Sequence, residues 1–501
     1  MTPSFRLCLA VPLAALWVVP WIVVPWPIGS ASAQGVLTPE AARSQLSAVL
    51  SLVSGGMIGS GDHAPQVTRD GDAWRVRVPL PELTTPTDAA VRAMAKPLAA
   101  GIWDITSLSL PPAGTIETAP RPGADHPGMV SFSIGRQAIH ARVDPSLSVA
   151  SPIAVALGNI TLTTEGGGRR SEQAIARFSL DGTLSADANR RMTIQTNDTA
   201  ANWRIGIQDN AGVTSNSLIR SAAASFGVEG LDPAQAARLR AAGGTLAAGG
   251  PHTGPGGRPG ELGPARLTPY QRDQLRAMLD ASVGLLTRLN VQETLQGVHF
   301  EGVGVNRGDI GRVSLGLTSE ARGDRLSTQI DLALDDLTLR LVPADLAAYV
   351  PNRVDVKLNA DGVRTTMLMR LLRDATAADA DPAALRAEAI TLLSDPETHV
   401  GVAHLSFQSG PLQVAGSSRL RPLPDGTAAI DIHVTARGAD KLIAQGQDSP
   451  AVQQILPLVF LAKGLARAEG DGLVWDISIA DGVTTVNGMP LGHLGGQMRR
   501  P

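Results

Sequence analysis

His399 and His404, five residues apart, are the spacing in this chain that most invites a metal. They stand at the start of a segment that alternates like a strand, where positions i and i+5 point to opposite faces. A shared ion is therefore not expected, and both read as ordinary surface histidines. Asp335-Asp336 offers paired carboxylates of the kind calcium takes, but turn chemistry accounts for the pair without a metal. The segment Gly302-Val-Gly-Val-Asn-Arg-Gly308 misses the dinucleotide-loop spacing by one residue and sits among strands with no helix after it. None of the lysines, Lys96, Lys357, Lys441 and Lys463, follows a glycine, which excludes a GxxxxGK[ST] phosphate loop. No GxSxG, SxxK or HExxH occurs. The single cysteine, Cys8, lies in an N-terminal apolar run, so thiol chemistry is not available to the rest of the chain.

Carboxylates are plentiful, yet folding can bring any two together, and sequence nominates no acid–base couple. A periplasmic glycoside or peptidoglycan hydrolase is the enzymatic alternative, since that chemistry needs no cysteine, nucleotide or cofactor. Its mark would be two carboxyls about 5–10 Å apart in a cleft. No catalytic, cofactor-binding or metal residue is assigned, and no enzyme activity or cofactor is expected. The remaining chemistry is apolar. Leu326, Ile330, Leu332, Leu337 and Leu339 alternate along one segment and would line a trough for acyl chains if the sheet left that face open. In an ordinary domain the same face packs on helices.

These residues belong to a period-two pattern. Leu326, Thr328, Ile330, Leu332 and Leu334 fall on one side of a strand, with Arg325, Ser327, Gln329, Asp331 and Asp335 on the other. Asp335-Asp336 breaks the phase as a bulge or tight turn would, and Leu337, Leu339 and Leu341 resume it. Val130/Phe132/Ile134, Val354/Val356/Leu358 and Ile430/Ile432/Val434 repeat the pattern. Turns are expected at Asp181-Gly182, Gly323-Asp324, Asp361-Gly362, Asp425-Gly426 and Asp481-Gly482. Helices are expected at Pro39–Leu52, Asp88–Ala100, Asp232 to about Ala241, 269–289, Asp381–Leu393 and Pro450–Leu465, the last kinked at Pro457. Thr268-Pro269-Tyr270-Gln271 is a capping box with proline at N1.

The expected fold is α+β: long twisted antiparallel sheets with helices packed at their ends or on one face. Residues 36–240 and 268–496 would form two β-rich modules, joined by the Gly/Pro-rich linker 241–267, with loose termini at 34–36 and 497–501. One continuous curved sheet built from both halves is the alternative. The heptads Ala156–Leu162 (ALGNITL) and Ala333–Leu339 (ALDDLTL) match across the linker. So do three strands opening on Trp74, Trp203 and Trp475. Either the modules are duplicated or common strand composition has converged.

Composition sets the class. The chain has 501 residues and a net charge of -3, with 43% hydrophobic and 18% charged residues, which reads as globular. There is no basic excess of the kind nucleic acid requires. Only four of the 43 basic residues are lysine, a coding bias that points to a GC-rich bacterial source. Arg6, the apolar run Leu7–Ile28 and the small residues Ala31 and Ala33 compose a secretory signal over 1–33, cleaved after Ala33. An uncleaved inner-membrane anchor is the alternative, opposed by Pro12, Pro20, Pro25 and Pro27.

The run from Ala451 holds a helix and then "AEGDGLVWDISIA". It closes on Val486-Asn487-Gly488-Met489-Pro490-Leu491-Gly492. This ending resembles an uncharacterised alphaproteobacterial periplasmic family of unknown function. More distantly, the long alternating strands are similar to AsmA-like envelope proteins. The resemblance implies an exported β-rich envelope protein with no established activity, and it supplies no functional residues. The AsmA-like likeness adds lipid handling through an apolar groove. Read from its residues alone, the ending is a final hairpin with turns at Asp481-Gly482 and Asn487-Gly488. The expectation is a non-enzymatic periplasmic binding or scaffold module. Its partner is an unidentified envelope component, or lipid in the groove reading, and neither nucleic acid nor nucleotide.

Overall fold

Alternation of aliphatic and polar residues decides most of the backbone, because it lets one side of a strand leave water while the other stays wet. The computed structural model describes residues 38–493, apart from 54–63, 87, 99–101, 119–127, 145–148, 167, 190, 210–211, 240–267, 303–304, 341–349, 378, 424–427, 447–452, 454–455 and 481–482. The expected leader, linker, loose termini and the turns at Asp425-Gly426 and Asp481-Gly482 lie outside the described residues.

The α+β expectation with packed helices is corrected. The chain is β-rich, the 23 strands among the described residues belong to one large sheet, and the described pairings are antiparallel. Its described helices are short, α1 (Pro39–Val53) before the first strand and the rest inserted between strands: α2 (233–239), α3 (Pro269–Ser282), α4 (Thr365–Ala375), α5 (Pro382–Leu393), α6 (Ala439–Gly446) and α7 (Leu456–Leu465). Two compact units divide the chain, Met1–Ala237 with Leu295–Arg307, and Arg238–Thr294 with Gly308–Pro501.

The first unit begins with β1 (Gln66–Asp70), β2 (Ala73–Pro79), β3 (Leu83–Thr85), β4 (Ala90–Pro97), β5 (Trp103–Ser109) and β6 (Ala113–Thr118). Five long strands follow: β7 (Gly128–Asp144), β8 (Val149–Gly166), β9 (Arg169–Ala186), β10 (Met192–Gln208) and β11 (Thr214–Leu231). They pair in the order β1-β2-β4-β5-β7-β8-β9-β10-β11, with β3 on β6 and β6 on the far end of β7. Its core gathers Leu46 of α1, Trp74, Val76 and Val78 of β2, Ala93 and Ala95 of β4, and Trp103 and Ile105 of β5.

Two local expectations fail here for the same reason: a tertiary neighbour outweighs local preference. Asp88–Ala100 is alanine-rich enough for a helix, yet it forms β4, because Val91, Ala93 and Ala95 alternate into the core between β2 and β5. Asp181-Gly182 is no turn but lies inside β9. A Cβ at Gly182 would stand 2.7 Å from Ile153 Cγ2, so this glycine serves close approach between strands.

β12 (Arg288–Gly302) and β13 (Val305–Arg322) lead on to β14 (Arg325–Asp335), β15 (Thr338–Leu339), β16 (Arg353–Arg364), β17 (His399–Ser409), β18 (Leu412–Pro422) and β19 (Ala428–Arg437). The last strands are β20 (Arg467–Glu469), β21 (Gly472–Ala480), β22 (Val483–Val486) and β23 (Met489–His493). The second unit's ladder runs β13-β14-β16-β17-β18-β19-β21-β22-β23, with β15 on β13 and β20 on β21. α3 begins on the capping box of Thr268 and Gln271 but ends at Ser282, short of the expected 289, because Gly284 turns with φ 67° before β12. Asp361-Gly362 lies within β16, where the register against β14 slips and Gly362 takes φ 67°, so it is a bulge. Asn487 and Gly488, with φ 48° and 79°, turn β22 into β23.

The matched heptads share a backbone feature. Asn159 and Asp336, fourth in each, have φ 52° and 59°. Each side chain lies over a glycine one strand back, Gly135 and Gly311, whose absent Cβ leaves room for it.

Candidate functional site

Residues opposite one another in an antiparallel ladder point to the same face, so the registers of the second unit sort its side chains into two surfaces. One surface is aliphatic. Leu315, Leu332, Val356 and Leu405 align across β13, β14, β16 and β17. Next to them, Leu317, Ile330, Leu358, Val402, Ser418, Ile432, Ile477 and Val486 form a row across eight strands. This face is open. Leu315 is 43% exposed, Leu332 and Leu358 41%, Ile330 39%, Leu405 38% and Ile430 37%, in central strands where a closed core would bury them. Beside this face, α7 is apolar nearly all round, and Trp475 donates its indole N–H to the Ala462 carbonyl at 2.8 Å.

Of the five residues expected to line a trough, the structure brings Leu326, Ile330 and Leu332 onto this face. Leu337 follows the left-handed Asp336, and Leu339 pairs with Gly308 without any register insertion, one residue out of phase with the pairing of Leu315 and Leu332. These two do not continue the row. Leu315, Leu358, Leu405 and Ile430 do, and no single segment reveals that, because membership is fixed by pairing between strands.

The opposite surface is polar and hollow. An open trough of about 610 Å³ has Gly401, Ala403 and Ser417 among its small lining residues, with Arg419, His399, Asp431, His433 and Asp476 around them. Asn359, Gly401, Arg419, Asp431, Ser478 and Thr485 form its central row. A bulge makes the hollow. β17 slips register against both neighbours around Ala403, and a Cβ at Gly401 would meet the Ser418 carbonyl at 2.1 Å. The same bulge resets the alternation, so His399 opposite Asp361 and His404 opposite Lys357 share the polar face, contrary to the opposite faces that strict alternation requires. Among the described residues, no group of three or more His, Cys, Asp or Glu is placed to hold a metal.

Most charges in the trough are already answered. Asp431 accepts from Ser478 Oγ at 2.8 Å and Arg421 Nε at 3.3 Å. Asp476 accepts from His433 Nδ1 at 2.7 Å and pairs with Arg467 at 3.2 Å. The His433 hydrogen bond, with the nearby Arg467 charge, holds the Asp476 carboxyl below the usual range. Arg419 differs: its Nη2 donates to His399 Nδ1 at 2.7 Å.

Asp431 and Asp476 are diagonal neighbours on β19 and β21, which puts their Cα atoms roughly 7–8 Å apart by sheet geometry. A glycosidase pair needs one member held protonated by a raised pKa. Asp476 is pushed the other way.

The fold and these two surfaces define a β-rich sheet protein. Within it, residues 262–494, which include α3 to α7, β12 to β23 and the whole site, match the model of a family described as "Uncharacterized protein conserved in bacteria (DUF2125)". No curated protein and no solved structure matches the chain. Among the described residues, no helix is long and apolar enough to cross a membrane.

Proposed function

We propose that the protein is a non-enzymatic binding module exported to the bacterial periplasm, and that its open aliphatic face holds lipid acyl chains. The supporting observation is the set Leu315, Ile330, Leu332, Leu358, Leu405 and Ile430, each 37–43% exposed on one face of central strands. Completing their burial is worth roughly 5 kcal/mol, taking about 2 kcal/mol for each fully buried aliphatic side chain. From Leu317 on β13 to Ile432 on β19 the row spans five inter-strand steps of about 4.8 Å, roughly 24 Å, before it reaches the buried Val486. One acyl chain covers about half of a ~30 Å hydrocarbon core, so the row is long enough for a whole chain.

Export rests on the composition of residues 1–33. N-terminal sequencing of protein from a periplasmic extract should begin at Gln34. Protein purified from its native envelope, extracted with organic solvent and analysed by mass spectrometry, should carry stoichiometric phospholipid. Ile330→Asp with Leu332→Asp should lose most of it while leaving the circular dichroism spectrum intact. Wild-type protein free of lipid would leave only a scaffold role.

A further inference from the structure

The polar trough on the opposite face of the second unit's sheet is unused by the acyl-chain reading, and three features make it a site. Its floor is lowered by a central-strand bulge at Ala403 and by Gly401 and Ser417, in the middle of a ladder where long side chains would otherwise fill the surface. Bulges in such positions re-aim side chains and cluster beside binding sites. Its walls interleave donors and acceptors, with Asp431 and Asp476 accepting and Arg419 donating, alongside the hydroxyls of Ser478 and Thr485. That mixture matches sugar hydroxyls, each of which both donates and accepts. Its charges are unevenly answered. Asp431 and Asp476 each have a cation, whereas Arg419, permanently charged, stands opposite Asp431 in the ladder but donates to the His399 ring and forms no ion pair with a carboxylate among the described residues.

We infer that the trough binds a small polyhydroxylated ligand carrying one oxyanion, a sugar acid or sugar phosphate, with Arg419 taking the oxyanion and the Asp431–Asp476 side taking ring hydroxyls. A guanidinium fork receives a carboxylate or phosphate through two parallel hydrogen bonds, which neutral sugars cannot supply. A volume of about 610 Å³ accommodates one or two sugar rings. The polar side chains of this site lie on the face opposite the aliphatic one, although Val402, Ser418, Ile432 and Ile477 of the aliphatic row also line it, and sugar binding is read independently of bound lipid.

Isothermal titration calorimetry on the full secreted chain tests it with four probes: glucuronate, glucose 6-phosphate, glucose and inorganic phosphate. At least one of the two anionic sugars should bind at least tenfold more tightly than both glucose and inorganic phosphate, and whichever one binds identifies the oxyanion. Arg419→Gln should erase that preference. Arg419→Lys, which keeps the charge but loses the fork, should weaken it by an intermediate factor. It also serves as the reporter should Arg419→Gln fail to fold. Arg136→Gln, on an exposed position of β7, should change nothing. Equal binding of glucose and the anionic sugars would overturn the inference. So would inorganic phosphate binding as well as glucose 6-phosphate, an unchanged preference in the Arg419 variants, or no binding of either anionic sugar.

Discussion

Asp198 should make the protein less stable at neutral pH than in mild acid. It lies on β10, opposite Leu180 of β9 and Ala224 of β11, on the same side as Ile194 and Thr196. Desolvation in that setting pushes its carboxyl up from 3.8 to about 6. The folded protein therefore binds a proton that the unfolded chain releases between about pH 4 and pH 6. Stability falls as pH rises through that window, and below it both states are protonated and nothing is lost. At ~1.36 kcal/mol per pH unit, the rise from 3.8 to about 6 corresponds to at most about 3 kcal/mol. Water reaches part of the carboxyl, which reduces the expected cost to about 1–2 kcal/mol. Asp198→Asn keeps the shape and removes the charge. Urea unfolding of both proteins at pH 4.0, 5.0, 6.0 and 7.5 should show the variant gaining about 1–2 kcal/mol over wild type between the lowest and highest pH. Comparing the two proteins cancels every other titrating group. Parallel pH profiles would refute the reasoning, as would a variant that loses ground as pH rises.

Three further outcomes follow from packing and charge. Trp103 is fully buried, so Trp103→Ala should cost about 3–5 kcal/mol in urea unfolding. Trp103→Phe should cost under about 1.5 kcal/mol, because it also removes an indole N–H with no partner among the described residues. Gly362→Ala should destabilise by more than about 2 kcal/mol, since its φ is 67° and the new Cβ would stand 2.1 Å from the Glu397 carbonyl oxygen. The hydrogen bond from Arg325, aided by the Arg364 charge, holds the Asp395 carboxyl below its ordinary value of 3.8. Its contribution is present above that pH and is lost as pH falls through the lowered value, so the melting point of Asp395→Asn should show a flatter acid limb than wild type.

What the sequence determined by itself is whatever depends on near neighbours along the chain. The alternation at Leu326–Leu334 is a β14 ladder strand, Thr268 and Gln271 do cap α3, and Asn487-Gly488 does turn β22 into β23. Each is a matter of side-chain period, capping hydrogen bonds or left-handed φ within a few residues. Leu326, Ile330 and Leu332 could be placed on one face for the same reason. Only the tertiary structure decided what depends on strands far apart in the chain. Asp88–Ala100 is a strand because β2 and β5 flank it, and Gly182 continues β9 because Ile153 crowds its Cβ position. The bulge at Ala403 puts His399 and His404 on one face, and it leaves no signature in composition. Asp431 and Asp476 lie 45 positions apart in sequence yet become neighbours through the β19–β21 register alone. The open aliphatic face has the same origin. Alternation says that a face is apolar, but whether other elements cover it is settled only when the chain has folded.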